Sequence, residues 1–130
     1  MKISSRILAL AIASVVLAPS AHAQDVLAVA KNHYRVLVDN DHVRVVENTL
    51  LPGEKDPVHT HPAGYYYVTR PGTMKVVFTG KPAELWTPKL GESGWSEAEA
   101  PHTSENVGRA PMSYVLIEVK SAATPRSAQR

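Results

Sequence analysis

From Tyr34 to Lys120 the chain alternates short β-branched and aromatic runs with clusters of Gly, Pro, Asn and Asp. Val36 and Val38 alternate with other residues in Tyr34 to Asp39, and Val43 to Leu50 follows the Asn40-Asp41 turn. Leu51-Pro52-Gly53-Glu54 is a second turn. Val58 to His61, Tyr65 to Thr69, Met74 to Thr79, Glu84 to Thr87, Gly94 to Ser96 and Met112 to Lys120 continue the series, broken at Pro62-Ala63-Gly64, Pro71-Gly72 and Gly80-Lys81-Pro82. Period-two runs bounded by turn residues predict strands, and about eight at regular spacing predict an all-β, antiparallel sandwich or barrel. No helical period runs through this part of the chain. Gln24 to Lys31 fits either an edge strand or a short helix. There are no internal repeats, and the polar stretch from Ser121 to Arg130 is expected to be a mobile C-terminal tail.

The first 23 residues follow a different pattern. Lys2 and Arg6 precede a twelve-residue apolar run, Ile7 to Ala18, and Pro19 leads to Ala21-His22-Ala23. A positive start, a hydrophobic middle and an A-x-A end predict a secretory signal peptide over residues 1–23, cleaved before Gln24. The apolar run is too short for the ~20 residues that span a bilayer. Cleavage changes the charge balance. The whole chain carries 14 Lys+Arg against 12 Asp+Glu, and loss of Lys2 and Arg6 makes the remainder formally neutral. A nucleic-acid or membrane partner then has no electrostatic support. Cysteine is absent, so no disulfide and no lipid attachment point exist. The expectation is a periplasmic or secreted protein, one domain over residues 24–120, held together by its core alone.

Three histidines carry the candidate chemistry. His59 and His61 are two apart on an expected strand, so their side chains leave the same face. His102, arriving from elsewhere in the fold, would complete a facial set of three nitrogen ligands. The flanks have their own spacing: Gly53, five residues, His59-Thr60-His61, three residues, Tyr65, six residues, Gly72; then Gly91, ten residues, His102, three residues, Asn106.

This frame resembles the two motifs of the cupin superfamily, G-x5-H-x-H-x(3,4)-E-x6-G and G-x5-P-x-G-x2-H-x3-N, over roughly Asp39 to Lys120. Gly53, His59, His61 and Gly72 fall on the first motif without adjustment. Tyr65, or Tyr66 on the longer spacing, stands where the family places a glutamate ligand. Gly91, His102 and Asn106 fall on the second motif, with Glu97 and Glu99 in place of its proline and glycine. Within the superfamily the chain resembles small single-domain members, some of them assigned to β-alanine degradation. The resemblance implies a jelly-roll β-barrel holding one divalent metal ion (Fe, Zn, Mn, Ni or Cu) on His59, His61 and His102. It also implies a homodimer that pairs through the outer face of one sheet.

Three neutral imidazoles with no carboxylate would leave the metal its full charge, which lowers the pKa of bound water and favours anionic, oxygen-donor ligands. Ligand nitrogens within about 4 Å of one another are expected. Tyr65 is the titratable group that the spacing offers beside the metal, as a catalytic proton donor or hydrogen-bond partner. Tyr67 and Trp95 are candidate substrate contacts, although strand aromatics ordinarily pack the core. Glu97 and Glu99 read as solvated loop acids, the alternative being that one replaces the missing glutamate ligand. Asn106 reads as a residue that fixes backbone near His102. His33, His42, Arg44 and Arg70 read as surface groups. Two functions stay open: an enzyme with dioxygenase- or isomerase-type chemistry on a small anionic or chelating metabolite, or a non-catalytic barrel that binds a small ligand or serves a structural role.

Overall fold

The structure, a computed structural model, describes residues 24–120; the expected signal peptide and C-terminal tail lie outside the described residues. Nine strands follow one short helix: α1 (Val26–Val29), β1 (Tyr34–Asp39), β2 (Val43–Leu50), β3 (Lys55–His61), β4 (Gly64–Arg70), β5 (Met74–Phe78), β6 (Glu84–Trp86), β7 (Ser93–Ser96), β8 (Glu99–Asn106) and β9 (Met112–Val119). The open question at the N-terminus resolves as a helix of one turn. The Asp25 carboxylate accepts from the Leu27 amide at its start, and Val26 and Ala30 are buried beneath it.

The strands form two sheets, ordered β1-β2-β9-β4-β7 and β3-β8-β5-β6, and every strand pair is antiparallel. Their inner faces meet in a core of Leu50, Val68, Met74, Met112 and Tyr114, with Tyr66, Val76, Trp86 and Leu116 packed against it. The alternation is plain in β2, where Val46, Asn48 and Leu50 are buried and the residues between them are not. The same rule operates in β8 with polar residues: His102, Ser104 and Asn106 are buried in turn. For that reason the strand gives no hydrophobic signal.

Two of the frame glycines have a backbone role. Gly53 and Gly91 adopt φ of 84° and 76°, the left-handed region that other residues avoid, and each turns the chain into a strand that serves the site. Asn106 ties the far end of β8 down. Its amide donates to the carbonyls of Leu50 and Ala110 at 2.8 and 2.9 Å, and its oxygen accepts from the Gly108 amide at 2.9 Å.

Candidate metal centre

His59, His61 and His102 converge inside the barrel. All three are buried, and the candidate ligand atoms lie within 4.8 Å of one another, wider than the expected about 4 Å. His102 sits in the middle of β8, hydrogen-bonded beside β3 in the same sheet, and pairs in register with His59. The next pair is His61 with Glu99, so β3 advances two residues while β8 advances three. Such a bulge re-aims side chains locally, and here it sets Glu99 opposite His61.

Each imidazole is tethered through its Nδ1. His59 Nδ1 donates to the Pro57 carbonyl at 2.7 Å, and His102 Nδ1 donates to the Ala100 carbonyl at 2.8 Å, the same two-residue offset on both strands. His61 Nδ1 donates to the Glu118 carboxylate at 3.0 Å. A carbonyl can only accept, so the tautomer follows: Nδ1 carries the proton and Nε2 presents a lone pair. His59 Nε2 is buried with no partner among the described residues. A buried, unpaired acceptor is costly unless something meets it. Burial, reinforced by the neighbouring His61 and His102, lowers the His59 pKa from 6.5 to about 4, so at neutral pH the ring is an uncharged ligand. Tethered Nδ1 and free, neutral Nε2 is the state in which imidazole binds a divalent metal. The donor set fits the metal that the fold implies.

Behind His61 lies a group of charges that the strand pattern did not single out. Glu118 is buried and also accepts from Arg44 Nε, while Arg44 Nη1 reaches Asp25 at 2.7 Å. Burial alone would raise the Glu118 pKa. The hydrogen bonds from His61 and Arg44 outweigh it and hold the carboxyl below its ordinary value. Arg44 is therefore no surface charge, and it pairs in register with Glu118 across β2 and β9. Position does carry a signal for Glu118: it ends the inward series Met112, Tyr114, Leu116 at two-residue spacing. His33 is likewise drawn in from the expected surface, half-buried with Nδ1 2.6 Å from the buried Asp56 carboxylate.

The tyrosine expectation is corrected by strand parity. Gly64, Tyr66 and Val68 face inward on β4, so Tyr65 and Tyr67 face out. Tyr65 is 42% exposed and its hydroxyl meets Ser93 Oγ at 2.9 Å on the outer face. Tyr67 is exposed there too, and Trp95, 54% exposed, donates to Glu97. None of these three lines the cavity beside the histidines. Tyr66 does, on the longer of the two motif spacings.

That cavity measures about 320 Å³ and is open on one side. His61 and His102 form its floor, and Tyr66, Trp86 and Tyr114 one wall. Trp86 meets both tyrosines edge-to-face, with ring centroids 5.5 and 5.6 Å apart. Burial, with Glu92 nearby, raises the Tyr66 pKa, and burial raises that of Tyr114 far more, so both phenols stay protonated. Among the described residues no lysine or arginine lines the cavity, and its acidic residues are Glu84 and Glu99. Neither Arg44 nor Arg70 lines it.

No protein-family model matches the chain, and no curated protein matches it. Solved structures do. A cupin-domain protein from Bordetella pertussis aligns with 21% identity over 68% of this chain and 92% of its own, TM-score 0.63. An RmlC-like cupin with a double-stranded β-helix fold from Methanocaldococcus jannaschii aligns with 16% identity over 68% and 80%, TM-score 0.56. The DMSP lyase DddQ from Ruegeria pomeroyi aligns with 15% identity over 73% of this chain and 51% of its own, TM-score 0.52. The two antiparallel sheets, matched by structures of that description, give this chain the cupin fold, a double-stranded β-helix.

Proposed function

We propose that the barrel binds one divalent metal ion through His59 Nε2, His61 Nε2 and His102 Nε2 and acts there on a small, chelating metabolite. The observation that carries this reading is the buried, partnerless His59 Nε2, facing two other tethered imidazoles at the floor of a cavity. A metal bound there supplies a Lewis acid with positions open to an oxygen donor. The protein's own groups do the rest. The Pro57 and Ala100 carbonyls and Glu118 hold the rings in orientation, and the aromatic wall excludes water on one side. Of the two protonated phenols on the cavity wall, Tyr114 already meets the Tyr34 hydroxyl, and Tyr66 is available to donate or relay a proton to a ligand on the floor. With no lysine or arginine among the described lining side chains, attraction for an anionic ligand rests on the metal charge.

Dioxygenase- or isomerase-type chemistry suits open metal positions next to a proton donor. The likeness to DddQ adds a lyase as a further enzyme class that this fold hosts. The second reading, a barrel that holds a ligand without turning it over, is favoured by the small number of titratable groups on the cavity wall. Metal analysis of the protein purified from its own host tests the first point: about one divalent ion per chain is expected, reduced to background in His59→Ala. Metal-free wild-type protein would sink the proposal. We also propose export, with a mature N-terminus at Gln24, which intact-mass measurement on protein from the native host checks.

A further inference from the structure

Glu99 stands where the second cupin motif carries a glycine, and three observations set its carboxylate beside the histidine cluster, on the His102 side. Its Oε2 lies 3.4 Å from His102 Nε2. Its backbone pairs with His61, so it stands over the other ligand of the same floor. Its Oε1 accepts from Ser96 Oγ at 3.1 Å, which holds the side chain over the cavity and away from the solvated position expected of a loop acid. His102 Nδ1 already meets the Ala100 carbonyl, so Nε2 is the ring nitrogen that faces Glu99. A separation of 3.4 Å is short enough for both atoms to ligate one ion.

We infer that Glu99 supplies the fourth, carboxylate ligand, delivered from β8 and not from β4, where the cupin frame places its glutamate. The inward β4 position beside the histidines belongs to Tyr66, whose phenol stays protonated and is a poor ligand. The carboxylate enters instead through the bulged pairing of β3 with β8. The centre then has three histidines and one glutamate from two adjacent strands, and its net charge falls from +2 to +1. This inference rests on the metal centre proposed above.

Cobalt(II) titration of chelator-treated protein tests it, read by affinity and by the visible d–d absorption, which reports ligand number and type. Glu99→Gln is expected to weaken Co(II) binding roughly 100-fold, at or beyond the 10–100-fold typical of groups that only orient ligands, and to change the absorption band. Ser96→Ala keeps the carboxylate but frees it, and should weaken binding less with the band retained. If circular dichroism shows Glu99→Gln unfolded, Glu99→Asp, which keeps the charge but withdraws it by one methylene, should still alter the band. Unchanged affinity in Glu99→Gln overturns the assignment. So does weaker binding with an unchanged band, which would mean that Glu99 acts through its charge alone. Wild-type protein that takes up no Co(II) refutes the metal centre itself, a separate failure that the wild-type arm identifies.

Discussion

Acid should loosen the metal-free barrel, and His59 is the residue to which the loss should trace. Its pKa falls from 6.5 to about 4 because the folded chain buries the ring among two other imidazoles. The unfolded chain therefore binds a proton at His59 over a pH range in which the folded chain does not. Stability is full above pH 6.5 and is lost as pH falls toward about 4, with a total loss of about 3 kcal/mol at about 1.4 kcal/mol per unit. Against the 5–15 kcal/mol of a typical domain this is a large share. Urea unfolding in the presence of a chelator, followed by tryptophan fluorescence at several pH values, measures it. His59→Gln lowers stability at every pH but removes the titration, so its slope across this window should be shallower than wild type by about one proton. Two other groups bracket the effect. Glu118, with a lowered pKa, gives up its contribution only below the ordinary carboxylate range. Asp56, raised chiefly by burial against the opposing pull of His33, works in the opposite sense, its penalty easing as pH falls. Both are common to wild type and variant and cancel in the comparison. Equal slopes for the two proteins between pH 6.5 and about 4.5 would refute the reasoning. Zinc should steepen the wild-type dependence, because protons and metal compete for the same nitrogens.

Other perturbations have equally definite outcomes. Glu118→Ala removes the acceptor of His61 and leaves Arg44 with Asp25 alone; a loss of roughly 3 kcal/mol in chemical denaturation is expected, together with weaker metal binding. Gly64→Ala would set a Cβ 2.3 Å from the backbone oxygen of Ile117, so β4 and β9 must separate, and about 3 kcal/mol should be lost, seen as a lower melting temperature. In an activity assay, once a substrate is in hand, Tyr66→Phe should reduce turnover with the metal retained, while Tyr65→Phe on the outer face should match wild type. The outer face of the five-stranded sheet carries Val38, Val45, Ile117, Tyr65 and Trp95 side by side in register. The expected homodimer would cover that stripe, so light scattering should show a dimer for the wild type and a monomer for Ile117→Glu; a wild-type monomer at micromolar concentration would count against it.

What the chain declares on its own follows from short-range rules. Period-two alternation and turn residues announce eight of the nine strands, and left-handed turns at Gly53 and Gly91 need glycine wherever they occur. His59 and His61 share a face by strand geometry, and the spacing to His102 and Asn106 marks the second half of the site. Three other features depend on which strand lies beside which. β8 escapes a hydrophobicity reading because its inward residues are His102, Ser104 and Asn106, polar for the sake of the site they build. Choosing between Tyr65 and Tyr66 takes one residue of register, and a slip of one exchanges wall for surface. Glu118 and Glu99 are distant from His61 along the chain; β4–β9 pairing sets Glu118 opposite Gly64, just beyond His61, β8–β3 pairing sets Glu99 opposite His61, and β2–β9 pairing adds Arg44 beside Glu118. A carboxylate is a loop acid or a ligand neighbour according to what stands within about 3–4 Å of it, and that distance is a property of the closed barrel.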